Sequence, residues 1–388
     1  MTQSNNEPEP RRFRANVPND QVIDVNRVHE RLPTQPFRPL PTPTGGAPYH
    51  LLLEAVLPAE RIKQITDAKK MVFQTIGDTG GIKRPEEQQL VANNMEIALQ
   101  ASDVSARPAF FYHLGDVVYY YGEETQYYSQ FYEPYSHYNA PIFAIPGNHD
   151  GDLQDMSIPS LQAFNNNFCS AEAQIAPSSG DAPRDTMTQP NVYWTLETPL
   201  ATFIGLYTNV PDGGELGDDQ IAWLHSELEG APRNKALIVA MHHPIYSADS
   251  HHSGSKYMED LFDAAMVSSK RLPDLVLTAH VHNYQRYTRQ YNGASITYMV
   301  VGSGGYWNLH QMVQPLRQPA SPISFPFPIP NRPDLVLNSF LDSRHGFLTL
   351  TVTPDTIRGE YYTVPRPQES WSAPAVLFDQ FTIDLHLA

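Results

Sequence analysis

Short apolar runs recur along the chain, and polar residues follow each of them. The five clearest runs are MVFQTI (71–76), AFFYHL (109–114), PIFAI (141–145), ALIVAM (236–241) and LVL (275–277). Runs of this length, apolar at nearly every position, are typical of strands that are buried on both faces of a sheet. We therefore predict a core of such strands, with polar side chains collected at their carboxyl ends.

Segments with helical periodicity lie between these runs. The predicted helices cover 57–70, 85–103, a stretch around 125–135, 217–230 and 256–269. Alternating strands are predicted at 192–198 and 201–207, as a hairpin, and at 295–305, 346–354, 356–364 and 378–385. Two successive blocks of strands and helices predict an α/β fold in which two mixed β-sheets pack face to face and are flanked by helices, in four layers (α/β/β/α).

Three segments are predicted to be irregular. Residues 1–48 are rich in Pro, Asn and Arg and are expected to form an arm that is disordered or lies extended over the domain. Residues 49–388 are predicted to form one catalytic domain. Residues 151–190 are loop-rich and suited to a lid or cap, and 315–334 form a long Pro-rich loop.

Composition narrows the possible partners and compartment. The net charge of −16 argues against a nucleic-acid polymer, but not against a small phosphorylated substrate, because bound cations would dominate the local field. The single cysteine, Cys169, excludes an intrachain disulfide and is expected to be buried and inert. No signal peptide or membrane span is readable, so we expect a cytoplasmic protein, with leaderless or processed export left open. The oligomeric state is not indicated.

The polar residues after the apolar runs form a set of metal-ligand types. They are Asp78 in GDTG, Asp116 in GDVVY, Asn148 in GNHD, His242 in VAMHH, and His280 and His282 in AHVH. In open α/β sheets, ligands bind outside the carboxyl ends of the strands. A two-metal hydrolytic site needs ions about 3.5–4 Å apart that share a carboxylate, for which Asp116 is the natural candidate. The sequence therefore predicts one mixed oxygen and nitrogen cluster holding two ions.

These motifs resemble those of the calcineurin-like metallophosphoesterase superfamily, and within it those of the purple acid phosphatases: DxG, GDxxY, GNH(D/E), VxxH and GHxH. Four match in full, and the fifth has Ala279 where the family has Gly. Most of the superfamily has a His in the first motif where this chain has Gly80, and in purple acid phosphatases a tyrosine, here Tyr119, fills the vacancy as a phenolate. A hard anionic donor suits a trivalent ion, so the resemblance implies Fe(III) at that position.

The resemblance also implies a ligand set for each ion. The first ion, Fe(III), would be held by Asp78, Asp116, Tyr119 and His282. The second, a divalent Fe, Zn or Mn, would be held by Asp116, Asn148, His242 and His280. A metal-bound hydroxide would then hydrolyse phosphate esters, most simply phosphomonoesters. A phosphodiesterase acting on nucleotides or phospholipids with the same metals is the alternative, and a non-catalytic metal-binding scaffold is an alternative of another class.

Three further histidines are candidate catalytic residues. By the resemblance, His149 stabilises the transferring phosphoryl group or donates a proton to the leaving oxygen, with Asp150 orienting it. His251 and His252 lie at the spacing where purple acid phosphatases place substrate-contacting histidines. The alternatives are a structural role for His149, a solvent-exposed loop for His251 and His252, and core packing for Tyr119. Arg286 is a candidate for phosphate binding, with packing as its equal alternative.

Overall fold

The structure, a computed structural model, describes residues 19–28, 39–155, 157–182, 184–208 and 214–385. The strands are β1 (Asn26–Arg27), β2 (His50–Leu52), β3 (Met71–Ile76), β4 (Pro108–His113), β5 (Ile142–Ala144), β6 (Trp194–Glu197), β7 (Ala201–Gly205), β8 (Ala236–Ala240), β9 (Gly254–Ser255), β10 (Leu275–Thr278), β11 (Tyr284–Tyr291), β12 (Ala294–Val301), β13 (Phe327–Pro328), β14 (Leu335–Leu341), β15 (Gly346–Val352), β16 (Thr356–Thr363) and β17 (Val376–Asp384). The helices are α1 (Ala59–Ala68), α2 (Pro85–Leu99), α3 (Asn148–Gly151), α4 (Gln162–Phe168), α5 (Asp218–Gly230), α6 (Lys256–Ser269) and α7 (Gln314–Arg317).

Two mixed sheets form the body of the molecule. The first has six strands in the order β17-β16-β15-β3-β4-β5, in which β3, β4 and β5 are parallel. The second has nine strands in the order β13-β14-β11-β12-β10-β8-β7-β6-β2, with β7, β8, β10 and β12 parallel at its centre. Helix α2 is hydrogen-bonded to the first sheet, and α5 to the second. The predicted class, two packed mixed sheets flanked by helices, is confirmed.

An aromatic layer joins the two sheets. The ring of Phe73 on β3 lies 5.0 Å from that of Phe203 on β7, and Phe110 on β4 lies 5.7 Å from the same ring. Tyr112 stacks at 6.1 Å on Trp194, which is on β6. Every residue of β3, β4, β8 and β10 is buried, because each sheet is covered on both faces. This packing explains why the apolar runs were continuous rather than alternating.

Some predicted elements differ from the structure. The stretch around 125–135 is not an α-helix: a 3-10 turn at Glu124–Gln126 precedes one π-helical turn at Tyr128–Tyr132. The segment 151–190 contains α4, whose Phe168 ring lies 5.0 Å from Phe131, and the Pro-rich loop contains β13. Cys169 is buried, as predicted.

Strand β11 was not predicted, and it changes the role of Arg286. The guanidinium of Arg286 donates from Nε and from one terminal nitrogen to the carboxylate of Asp379, at 2.8 and 3.0 Å, and lies 4.8 Å from the ring centre of Phe381. These contacts join β11 to β17. Phosphate binding is therefore the wrong role for Arg286, and packing is the right one.

Part of the predicted N-terminal arm lies within the described residues, whereas 1–18 and 29–38 lie outside them. Strand β1 pairs in parallel with β9, and Val25 is buried. The indole nitrogen of Trp223 on α5 donates to the carbonyl of Pro48 at 2.7 Å. The described parts of the arm thus pack on the domain, and the division at residue 48 stays a prediction. Among the described helices, none is both long enough and apolar enough to cross a membrane.

Candidate metal centre

The predicted ligands come from both sheets. Asp78, Asp116 and Asn148 follow β3, β4 and β5 of the first sheet, while the three histidines follow β8 and β10 of the second. Asp78, Asp116 and His280 adopt left-handed backbone conformations, with φ of 56°, 52° and 66°. This conformation is strained for residues other than glycine. Such strain is typically found at functional sites, where it orients a side chain.

The first group of side chains surrounds Tyr119. Its hydroxyl donates to Oδ1 of Asp78 at 3.1 Å and lies 3.3 Å from Nε2 of His282. The other ring nitrogen of His282, Nδ1, donates to the carbonyl of Asn308 at 2.9 Å. This contact orients the ring and leaves the Nε2 lone pair facing Tyr119 and Asp78, as in metal-binding histidines.

The second group surrounds the side-chain oxygen of Asn148. This Oδ1 lies 3.1 Å from Nε2 of His242 and 2.9 Å from Nδ1 of His280, and Oδ2 of Asp116 lies 3.3 Å from Nε2 of His242. Nδ1 of His242 donates to the carbonyl of Leu114 at 2.8 Å. If the His242 ring were neutral, its Nε2 lone pair would face the two oxygens, and three acceptors would lie against one another.

Such an arrangement of acceptors calls for positive charge. Burial lowers the pKa of His242, but the Asp116 carboxylate outweighs it and raises this pKa to about 9. In the first group, Oδ2 of Asp78 is buried and accepts no hydrogen bond from the described part of the chain. A buried carboxylate oxygen without a donor is costly unless a cation compensates it. The residues present therefore fit a metal site.

Gly80 and Tyr119 are sterically coupled. A Cβ at position 80 would lie 2.7 Å from Cδ2 of Tyr119 and 2.4 Å from Oε1 of Gln130, so a side chain there would displace the ring. Burial, together with the negative charges of Asp116 and Asp78, raises the pKa of Tyr119 well above its usual value. The phenol therefore stays protonated when only these groups surround it. A highly charged cation would be needed to displace the proton.

Ala279 in the fifth motif is accommodated by a glycine across from it. A Cβ at Gly77 would lie 2.4 Å from the Cβ of Ala279. Ala279 is not among the residues with a left-handed φ, whereas His280 is. The methyl group therefore fits without strain at Ala279, and both histidines of the motif reach the centre.

His149 lies beside the first group. Its ring centre is 4.5 Å from that of Tyr119, and its Nδ1 donates to the carbonyl of Tyr120 at 2.8 Å. The predicted orienting contact from Asp150 is wrong. The Asp150 carboxylate instead accepts from the backbone N–H groups of Gly147 and Val117, at 2.8 and 3.0 Å, and so ties the loops after β4 and β5 together.

His251 and His252 lie on the other side, in the loop after β8. The ring of His252 lies 4.5 Å from that of His280, so the structure brings this loop to the second group. Sequence reasoning missed His310, whose ring lies 4.2 Å from His282 and 4.7 Å from His251. It has no motif around it, and a lone histidine in the loop after β12 gave no signal.

A two-sheet sandwich with acidic, amide and imidazole donors at its strand ends is the architecture of a metallophosphoesterase. The sequence profile of the calcineurin-like phosphoesterase family matches residues 72–284, which is more than half of the chain. The protein belongs to this family.

Individual relatives and solved structures show further similarities. Purple acid phosphatase 21 of Arabidopsis thaliana is 29% identical over 153 residues, covering 36% of this chain and 32% of the relative. The chain thus spans about a third of the length of such curated relatives. A purple acid phosphatase from yellow lupin seeds superimposes with a TM-score of 0.53 at 16% identity, over 81% of this chain and 54% of the lupin chain. GAP50, described as the anchor in the inner membrane complex of Plasmodium, gives 0.53 at 15% identity, over 81% and 89%. The two superpositions show a shared fold.

Proposed function

We propose that the protein hydrolyses phosphomonoesters at a dinuclear metal centre, as a purple acid phosphatase-like enzyme. The observation that carries this proposal is the convergence of seven donor side chains into two groups, with Tyr119 in the space that Gly80 provides. Similarity to plant purple acid phosphatases supports it. Fold alone would not, because one fold hosts many activities.

We divide the proposed ligands between two ions. Asp78, Asp116, Tyr119 and His282 would hold Fe(III), and Asp116, Asn148, His242 and His280 would hold a divalent Fe, Zn or Mn ion. When bound, two such ions supply an activated water and neutralise charge on the phosphoryl oxygens. The orienting contacts from the carbonyls of Leu114 and Asn308 keep the reactive nitrogens of His242 and His282 aimed at the centre.

The remaining histidines are assigned to the substrate. His149 is anchored through Nδ1 to the Tyr120 carbonyl, which leaves Nε2 to donate a proton to the leaving oxygen or to contact the phosphoryl group. His251 and His252 border the second group from the opposite side, where they would contact the substrate. The net charge of −16 favours a small phosphorylated substrate, whose charge is met by the metals, over a nucleic-acid polymer.

Rates on paired model esters test this function. The protein loaded with iron and zinc should release nitrophenol from nitrophenyl phosphate faster than from bis(nitrophenyl) phosphate, and chelation should abolish both reactions. Faster release from the diester would contradict the proposed phosphomonoesterase activity and indicate a phosphodiesterase. A fully loaded protein that cleaves neither ester would favour a metal-binding scaffold.

The visible absorption spectrum tests whether Tyr119 is a ligand of Fe(III). If Tyr119 binds Fe(III) as a phenolate, the iron-loaded protein should show a charge-transfer band in the visible spectrum. Tyr119→Phe should remove the band and keep the fold, because Phe retains the buried ring and loses only the oxygen. Tyr128→Phe, which alters a tyrosine hydrogen-bonded to Asp181 away from the centre, is the matched control and should stay coloured. A coloured Tyr119→Phe variant would disprove the assignment.

A further inference from the structure

Residues 19–28 of the N-terminal arm, here called the arm segment, lie against the loop that carries the two histidines assigned to the substrate. The carbonyl of Val25 accepts from the backbone N–H of Ser247 at 2.8 Å and from that of Gly254 at 3.2 Å. These two donors lie at opposite ends of the loop 247–254, here called the histidine loop. A single carbonyl of the arm segment therefore ties the two ends of this loop together.

Inside the histidine loop, hydrogen bonds connect its ends to its histidines. The hydroxyl of Ser247 donates to the backbone carbonyl of His252 at 3.0 Å. Oδ2 of the buried Asp249 accepts from the backbone N–H groups of His251 at 2.8 Å and of His252 at 2.7 Å. A shift at Ser247 would therefore move the backbone that carries both imidazoles.

The arm segment also holds the loop beside the histidine loop. The side chain of Asp20 accepts from the guanidinium of Arg317 at 2.9 Å, and its carbonyl accepts from the backbone N–H of Gln314 at 2.8 Å. Both donors are on α7. The backbone N–H of Val313, just before α7, donates to the carbonyl of Ala248 in the histidine loop at 2.9 Å. The arm segment therefore contacts the histidine loop both directly and through α7.

The residues at this contact fit one another closely. The side chain of Val25 is 2% exposed, whereas that of Val28, three residues later, is 79% exposed. A Cβ at Gly254 would lie 2.5 Å from the carbonyl oxygen of Val25, so the close approach requires glycine at this position. The side-chain amide of Asn26 donates to Glu259 on α6 at 2.6 Å. The arm segment is thus held by the burial of Val25 and by hydrogen bonds on either side of it.

We propose that the arm segment positions His251 and His252 for contact with the substrate, with Val25 as the positioning residue. The proposal rests on the substrate role proposed above for these histidines. The described residues between β8 and β9 form no helix or strand, and such loops are usually mobile unless other contacts hold them. Displacing a catalytic group by about 1 Å costs up to about 10²-fold in rate. The contacts of the arm segment keep the two imidazoles from such a displacement.

The first test places a charge at Val25 in the whole chain. Val25→Asp would bury an uncompensated carboxylate and should displace the arm segment. The kcat/KM for nitrophenyl phosphate should then fall by about 10- to 10²-fold, with both ions retained, because no proposed metal ligand lies in the arm segment. Val28→Asp makes the same change at an exposed position and should keep the wild-type rate.

A milder variant keeps the test decisive if Val25→Asp does not fold. Val25→Ala removes part of the buried side chain without adding a charge, and it should lower kcat/KM by a smaller factor. Wild-type kcat/KM in a folded Val25→Asp variant, or in Val25→Ala if only that variant folds, would overturn the proposal and leave the proposed function intact.

A combined variant separates positioning from general stabilisation. In a protein that already lacks both imidazoles, through His251→Ala and His252→Ala, adding Val25→Asp should cause little further loss of kcat/KM, because Val25 acts through those rings. An equal fold-loss with and without the two imidazoles would show that the arm segment acts on another part of the protein, and would overturn the proposal.

Hydrogen exchange measures the contact without turnover. The backbone amides of Ser247 and Gly254 should exchange faster in Val25→Asp than in the wild type, and at the wild-type rate in Val28→Asp. Unchanged exchange in Val25→Asp would overturn the proposed hold on the histidine loop. A wild-type protein that cleaves no phosphomonoester would instead contradict the proposed function, and the positioning role with it.

Discussion

Asp116→Asn should reduce hydrolysis of a phosphomonoester by about 10³-fold or more, with loss of metal. The proposed role of Asp116 is to supply negative charge to both ions, and a neutral amide cannot. A loss of about 4 kcal/mol of transition-state stabilisation corresponds to this factor. Asn suits the position otherwise, since it tolerates the left-handed φ of 52° and its Oδ1 still accepts from the backbone N–H of His149, at 2.8 Å in the wild type.

The measurement combines kcat/KM on nitrophenyl phosphate with iron and zinc content per chain. Asp67→Asn is the matched control, because Asp67 is exposed on α1 and pairs with Lys63. It should keep wild-type rate and metal content. Full metal content and full activity in Asp116→Asn would show that Asp116 is not a ligand of both ions, and the proposed shared carboxylate would be wrong.

His149→Ala should separate catalysis from metal binding. Nδ1 of His149 is held by the Tyr120 carbonyl, and its ring lies against Tyr119. Loss of a general acid or of a group that stabilises the phosphoryl oxygens lowers turnover by roughly 10²–10⁴-fold. Both ions should remain, because the proposed ligand sets do not include this side chain.

The dependence of the rate loss on the leaving group shows whether His149 donates a proton. The loss should be larger for an alkyl phosphate than for nitrophenyl phosphate, whose leaving group needs little protonation. His137→Ala, at an exposed histidine, is the control and should behave as wild type. If His149→Ala lost an ion together with activity, His149 would be a positioning residue for the metal centre instead.

The site was predictable from sequence to the extent that strand ends determine it. Asp78, Asp116 and Asn148 each follow a continuous apolar run, and the carboxyl ends of parallel strands meet at one edge. Their side chains could therefore be expected together before any coordinates. His310 could not, because a loop of irregular backbone brings it to His251 and no periodic pattern encodes that path.

The sequence predicts the strands that are buried on both faces of a sheet. It does not predict a strand whose polar residues are buried through contacts with residues far away in the chain. Strand β11 reads YQRYTRQY, with polar residues at most positions. It is nevertheless internal to its sheet, between β12 and β14. Its Arg289 is buried, and its charge is compensated by Asp263 on α6, whose carboxylate accepts from both terminal nitrogens at 2.6 and 2.7 Å. A sequence shows an arginine but not its partner, which is why Arg286 in the same strand was a candidate for phosphate binding.

The division of the ligands between the two sheets has a consequence for folding. Ions held by Asp78 and Asn148 on one side and by His242 and His280 on the other would cross-link layers that otherwise meet through aromatic packing. Because such ions bind the assembled sandwich and not an isolated sheet, binding is linked to folding. Each tenfold rise in free metal above the dissociation constant then adds about 1.4 kcal/mol per ion to the free energy of unfolding. The metal supply would thus set how long the chain survives as well as how fast it reacts.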